Sequence, residues 1–528
     1  MSIFNKIQLK RPKTSIFDLS YDHKLSLKMG YLVPVHTQEC VPGDHITMSS
    51  EAMLRMMPMI SPIMHKVDVY MHFFFVPNRI LWKNWEKFIT GGEDPNSVQP
   101  LFPTMGFYNT QSSQPPSSLT DYLGLPVNVD FGDAQQPISA LPFAGYYKIW
   151  HEFYRDQNLI QSNDIELVDG VQPQVIDDEL LKLRKRAWEH DYFTSCLPFA
   201  QKGDAIRLPV TYPTQDVFIK VDPQAGGANP HFIDGTSTPV SSGDLQQLNS
   251  PDRIESTGQA DPATYDPAGT LFFPTADLNS TTTINDLRTA FSLQKWLEKN
   301  ARAGTRYIES ILNHFGVRSS DKRLQRPEYL GGSKASMAIS EVLQTSESAA
   351  TPQGGMAGHG ISVSDGRNFS YYCEEHGYIH GLISIRPKTA YYQGVPAHFS
   401  KTQDRMQYYW PDFAHLGEQP VLNKEIFLQD GTFNPDDNIK TFGYIPRYSE
   451  YRFNSSRVSG EMKTSLEFWH MARKFATPPS LNQLFVEADP TKRIFAVVSP
   501  NDDEIVAHIY HKIIAKRPIP LYGNPGGI

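Results

Sequence analysis

The run from Phe17 to Phe88 constrains the fold more than any other stretch of this chain. It begins as extended sequence punctuated by Gly30, Pro34 and the Pro42-Gly43-Asp44 turn, then passes through a Met- and Pro-rich stretch. It ends in the apolar run Val67 to Val76, VDVYMHFFFV, halted by Pro77. An apolar run of that length, rich in β-branched and aromatic residues and bounded by a breaker, predicts a buried strand. Trp82, Trp85 and Phe88 then predict an aromatic helix. Residues 17 to 76 therefore read as strands and turns, with nothing that looks like a catalytic loop.

Strand grammar returns late in the chain. SMAISEVLQT alternates, and so does the second half of FSYYCEEHGYIHGLISIRP, with a flexible Gly-rich segment, PQGGMAGHG, expected between them. The stretch 191 to 210 also reads as strands and turns. Between these regions lie a long loop from Gly91 to about Pro137, a packing helix over 142 to 155, and a helical stretch from Ile284 to Phe315. In the packing helix Phe143, Tyr146 and Trp150 share one face. In the later stretch Thr283 or Asn285 is the expected cap, Gly304 a kink or split and Gly316 the stop. With strands at both ends of the chain, an antiparallel sandwich must pair distant segments, as Greek-key and jelly-roll folds do. At 528 residues the chain exceeds a usual single core, so several domains or one core with large insertions is expected.

Charge is distributed unevenly. Residues 213 to 283 hold nine acids against two basic residues, −7 of the chain's formal −8. Gly, Asp, Pro, Ser, Thr and Asn dominate there, so the segment reads as a long acidic surface insertion without a core of its own. The first sixteen residues carry Lys6, Lys10, Arg11 and Lys13 with no acid, either a solvated tail or an interior-facing arm that touches phosphate or a partner subunit. Lys182, Arg184, Lys185 and Arg186 form a second basic cluster, read as one solvated helix face or as an inward patch for DNA or a basic peptide. A nearly neutral body carries too little positive charge to neutralise a long nucleic acid by itself.

The familiar reaction centres are not spelled out. His151-Glu152 is not followed by a second His at the zinc-protease spacing, since position 155 is Arg. His376 and His380 fall in a strand-like block that would hold them about 13 Å apart, too far to share an ion. GGSKAS at 331 to 336 lacks the phosphate-loop spacing, and no nucleophile elbow or dinucleotide fingerprint occurs. Three scattered cysteines suggest no disulfide framework, and a reducing compartment during synthesis. The N-terminus lacks an apolar signal core, and no cofactor is expected.

Several long blocks, in order, resemble one family. Beside the opening run these are LPFAGYYKIWHEFYRDQNL (141 to 159), RAWEHDYFTSCLPFAQKGDAIRLPV (186 to 210), LQKWLEKNARAGTRYIESILNHFGVRSSDKRLQRPEYLGG (293 to 332), FGYIPRYSEYRF (442 to 453) and RPIPLYGNPGGI (517 to 528). Each resembles a block of the major capsid proteins of the Microviridae, nearest to the gokushovirus-like branch. The resemblance implies a mainly β, eight-stranded antiparallel jelly-roll with large loop insertions and a few helices. It implies a basic arm over 1 to 16 and one capsid domain over 17 to 528. It further implies a T=1 shell of sixty copies around circular single-stranded DNA, in the virion after assembly in the bacterial cytoplasm. Expected partners are a small basic DNA-packaging protein, pilot or minor virion proteins, a scaffolding protein and a host cell-surface receptor. The acidic insertion sits where such relatives carry a threefold protrusion, making Asp234, Asp244, Asp252, Asp261 and Asp266 candidate receptor-facing residues. Lys6, Lys10, Arg11, Lys13, Arg184, Lys185 and Arg186 are the candidate interior or DNA-facing residues. The rivals are a glycan- or receptor-binding β-sandwich that forms no shell, and a β-rich enzyme, for which no site residue can be named.

Overall fold

The computed structural model describes residues 13–92, 98–106, 114–129, 137–204, 206, 284–304, 306–343, 356–365, 368–496, 499 and 502–522, with short strand pieces between 220 and 272. The N-terminal run supplies β1 (Ser15–Asp18), β2 (Tyr21–Leu27), β3 (Val33–Cys40), β4 (His45–Met56) and β5 (Val67–Pro77). The second strand region supplies β6 (Glu328–Ser336), β7 (Ala338–Leu343), β8 (Met356–Asp365), β9 (Phe369–Tyr372) and β10 (Gly377–Pro387). A separate two-stranded sheet joins β11 (Glu418–Leu422) to β12 (Thr441–Pro446), and β13 (Ile505–Arg517) is the last strand.

Two antiparallel sheets carry the fold. The seven-stranded sheet runs β1-β13-β4-β8-β7, with β2 also on β13 and β9 also on β4. The four-stranded sheet runs β6-β5-β10-β3. One buried cluster draws on both, with Ile46, Met48, Leu54, Ile509 and Ile513 from the larger and Val35, Val69, Phe73, Ile383 and Ile385 from the smaller. The chain passes from sheet to sheet, β2 to β3 to β4 to β5, so most neighbours within a sheet are distant in sequence.

The burial patterns follow from what covers each face. In β4 and β13 buried and exposed residues alternate, as they must where one side of a sheet meets solvent. β10 is buried almost throughout, although alternation was expected for it. Its second face is covered by the Leu141–Ile149 helix, which shares a core with Phe74, Val76, Trp82 and Leu382. The helix predicted over 142 to 155 is present, and after Ile149 it widens into a π-helical turn, Trp150–Tyr154, closed by Arg155 N to the Trp150 carbonyl (2.9 Å). A third, mostly aromatic core lies among the long connections, with Tyr192, Phe193, Tyr391, Phe442 and Phe485.

Three expectations need correction. The Gly-rich stretch is partly strand: Met356–Asp365 pairs with both β7 and β4. Its glycines serve close approach, since a Cβ on Gly358 would lie 2.5 Å from the Ser61 carbonyl oxygen and one on Gly360 2.7 Å from the Met56 sulfur. Among the described residues of 191 to 210, turns replace the expected strands, with a single bridge from Leu197 to Tyr444. Asn285 lies within the Ile284–Ala303 helix, and Thr283 falls outside the described residues. Gly304 (φ +90°) does separate that helix from Tyr307–Phe315, and Gly316 (φ +71°) ends the second in the left-handed conformation.

The molecule divides into two compact units, residues 1–202 with 298–528, and residues 203–297. The second holds three nested antiparallel pairings: Lys220–Val221 with Leu271–Phe272, Phe232–Ile233 with Thr264–Tyr265, and Leu245–Gln247 with Ile254–Ser256. The nesting is that of one hairpin path.

Candidate assembly surface

Of the basic arm, Lys13 is exposed just ahead of β1, while Lys6, Lys10 and Arg11 lie outside the described residues. Asp234, Asp244, Asp252, Asp261 and Asp266 lie outside them too. The Arg184 cluster is not a solvated helix face. Its helix stops at Leu180, and the following segment is extended, with Leu32 N donating to the Arg184 carbonyl and Arg186 N to the Gly30 carbonyl (2.9 and 2.8 Å). Side chains alternate in an extended segment. Arg184 binds Glu179 (2.7 Å) and stacks 4.4 Å from the Trp150 ring, whereas Lys185 binds Asp489 (2.8 Å). Arg186 stacks 4.3 Å from the Tyr70 ring.

The most distinctive exposed chemistry is aromatic. Tyr408, Tyr409 and Trp410 are each about half exposed (53%, 51% and 49%), as are Tyr451 and Phe453 (55% and 57%). They stand on short 3₁₀ turns, Arg405–Gln407, Pro411–Phe413 and Ser449–Tyr451. The backbone under them is fixed by directed bonds. The Asp404 carboxylate accepts from Met406 N (3.0 Å), Trp410 Nε1 donates to the Arg405 carbonyl (3.1 Å), and Arg447 Nη2 to the Met406 carbonyl (3.0 Å). Lys401 joins the two loops, paired with Glu450 at 2.8 Å and lying 3.9 Å from the Tyr451 ring. Large rings held on a rigid frame lose little entropy when covered, which suits them to anchor a contact with another surface. The YYW triplet was the sequence signal for this surface; it sits in a stretch without regular periodicity and was not singled out.

A cavity of about 110 Å³ beside it is walled by Tyr192, Tyr391, Phe453, Glu425 and Glu450. Burial raises the Glu425 carboxyl above the ordinary range. Its oxygens accept from Tyr192 Oη (3.0 Å) and Leu422 N (2.9 Å), while those of Glu450 engage Lys401 and Gln419. These carboxylates tie loops together. All three cysteines are buried and unbridged. Among the described residues, no His, Cys, Asp and Glu cluster is arranged as a metal site, and no helix is long and apolar enough to cross a membrane.

The described molecule is thus a two-sheet sandwich with exposed aromatic loops and long excursions between its strands. The chain belongs to the capsid protein (F protein) family, whose model matches residues 5–527. It is similar to capsid protein VP1 of Bdellovibrio phage phiMH2K, at 38% identity over 99% of this chain and 97% of the relative. It is also similar to capsid protein VP1 of Chlamydia phage 1, at 33% identity over 99% and 97%. A third relative, capsid protein VP1 of Spiroplasma virus 4, is 33% identical over 95% and 93%. The Microviridae resemblance therefore holds along the whole chain, and it points to a structural role.

Proposed function

We propose that this chain is the major shell protein of a small phage virion, in which sixty copies close a T=1 shell around circular single-stranded DNA. The observation that carries this reading is the family match from residue 5 to residue 527, together with relatives named capsid protein VP1. Sheet order supports the finer fold. Taking β1 with β2, and β8 with β9, each sheet has four principal lanes, β1/β2-β13-β4-β8/β9 and β6-β5-β10-β3. This order, with the chain alternating between sheets, supports reading the sandwich as an eight-stranded jelly-roll with β7 as an addition. The aromatic surface at Tyr408 to Trp410 meets a second copy, because closed symmetry repeats one such contact around the shell. The shell assembles in the bacterial cytoplasm with help from a scaffolding protein, and carries pilot or minor proteins.

Lys6, Lys10, Arg11 and Lys13 reach inward to the genome, assisted by a small basic packaging protein, and the Arg184 to Arg186 segment contributes to the same inner chemistry. The 213 to 283 insertion, with Asp234, Asp244, Asp252, Asp261 and Asp266, meets the host receptor. The test is rate-zonal sedimentation of protein from cells making every phage component, with nuclease challenge of each fraction. Particles holding nuclease-resistant DNA are expected. Monomer without protected DNA would favour the binding module that forms no shell. Deleting 213 to 283 should leave particles intact and abolish adsorption; unchanged adsorption would remove the receptor role.

A further inference from the structure

The cavity of about 110 Å³ beside the exposed aromatic loops holds chemistry that the bonds between its own loops leave unexplained. Aromatic rings of Tyr192, Phe193, Tyr391, Tyr392 and Phe453 stand in its wall. Phe193 meets Tyr192 and Tyr391 edge to face, with ring centroids 5.2 and 4.9 Å apart, so these three buried rings form one rigid corner. Glu425 and Glu450 share the wall with them. His398, Asn454 and Arg457 also line the cavity and are exposed, so it opens to solvent.

The two carboxylates are held differently. Glu450 is neutralised by Lys401 (2.8 Å) and accepts from Gln419 Nε2 (2.7 Å). The donors to Glu425 are neutral, Tyr192 Oη (3.0 Å) and Leu422 N (2.9 Å). Among the described residues, no cationic side chain lies within ion-pair distance of Glu425, unlike Glu450. Burial, with the Glu450 charge adding to it, raises the Glu425 carboxyl, and the adjacent Lys424 charge offsets this only in part. A third carboxylate, Asp191, accepts from Tyr391 Oη (2.8 Å). The positive groups are engaged or peripheral. Arg473 lies 5.8 Å from the Tyr391 ring centroid and donates to the Phe485 carbonyl (2.8 Å), while Arg457 and His398 are on the exposed rim.

A carboxylate that meets only dipoles in a half-enclosed space is relieved by an entering cation. The rings decide which cation. Their faces attract positive charge through the ring quadrupole. A calcium or magnesium ion needs six or so oxygen ligands, and among the described residues no acidic cluster is arranged to supply them. An alkylammonium matches the wall better, with three N–H donors for carboxylate and phenol oxygens and methylenes for the rings. We propose that this cavity binds the ammonium head of a short alkylamine, with Glu425 as its counter-ion and Tyr192, Tyr391 and Phe453 covering the head and chain. Two sources carry that chemistry, a free diamine and a lysine side chain from another protein chain. The site stands whether or not the chain forms a shell. Because Phe453 belongs both to this wall and to the exposed aromatic set, a bound amine lies at the border of that surface.

Isothermal titration of the purified full chain with putrescine, beside butanol and magnesium chloride at matched ionic strength, tests the site. Saturable putrescine binding that neither control displaces is expected. Glu425→Gln keeps an acceptor oxygen for Tyr192 and removes the charge, and should weaken binding about tenfold or more. Phe453→Leu keeps apolar bulk at an exposed position (57%) but removes the π-face, and should weaken binding about fivefold at unchanged melting temperature. If the Glu425 variant does not fold, the Phe453 variant decides the matter. Carbodiimide treatment of material taken directly from cells separates the sources, since it joins Glu425 by an amide to the amine beside it. A Glu425 peptide carrying a diamine identifies a free ligand, and one joined to a lysine-containing peptide identifies a partner chain; either supports the site. No saturable putrescine binding, displacement by magnesium, or binding unmoved by both substitutions would each overturn it.

Discussion

Single residues set the tolerances of this sandwich. Gly145 lies where the Leu141–Ile149 helix presses on β10, and a Cβ there would stand 2.5 Å from Nε2 of the fully buried His380. Gly145→Ala should therefore destabilise the chain by about 1–3 kcal/mol through overpacking, read as a lower urea midpoint at unchanged slope. The histidines of the core make a second prediction. His36, His380 and His511 are buried at 4%, 0% and 0% exposure. Tyr21 Oη meets His36 Nδ1 at 2.8 Å, Thr37 Oγ1 meets His380 Nδ1 at 3.2 Å, and Ser50 Oγ meets His511 Nδ1 at 2.7 Å. Burial holds His36 well below its ordinary value, His380 near 3 and His511 near 4. Unfolded histidines take protons from about pH 6.5 downward while the folded ones stay neutral, so protons favour the unfolded chain. Stability should be full above about pH 6.5 and decline steadily toward pH 5, a window in which most carboxylates remain ionised. Thermal melts across that range should show the decline, and His511→Gln should flatten it. A profile level down to pH 5 would contradict neutral burial. His36 and His511 gave no sequence signal, because burial depends on strands far apart in the chain.

At the scale of elements, the sequence was most readable where the pattern was local. Val67–Pro77, the helix split at Gly304 and the stop at Gly316 all fall where breakers and periodicity put them. The misreadings came from contacts that sequence spacing does not reveal. β10 is apolar on both faces because a helix more than two hundred residues earlier covers one of them, and the glycines of β8 mark close approach, which in sequence looks like flexibility. β13 shows clear period-two burial, yet its sequence entered the reading only through its last residue, Arg517. It is a central strand, paired with β1, β2 and β4. Removing residues from 505 onward should leave β4 and β2 without their shared neighbour and abolish soluble protein, scored by limited proteolysis of the expressed product. The basic 182–188 segment misled for a related reason: its composition suits a helix, but the aromatic faces that receive Arg184 and Arg186 come from other elements.

At the scale of the whole molecule, the exposed surfaces were the least legible part. Family membership was readable from long ordered blocks, whereas the exposed aromatic loops lack a period that would mark them. Tyr408→Ala with Trp410→Ala should lower particle yield at least tenfold, since anchors of this kind carry about 2 kcal/mol or more each at an interface. The isolated chain should melt within a few degrees of the parent, because neither ring is buried in it. Equal losses of assembly and stability would assign the rings to folding.

The most direct measurement is cryo-electron microscopy of particles purified from phage-producing cells, reconstructed without imposed symmetry. A T=1 shell into which sixty copies of this sandwich fit, with density for nucleic acid inside, is the predicted result. Monomers, or shells built from another protein in cells that make this chain abundantly, would contradict it.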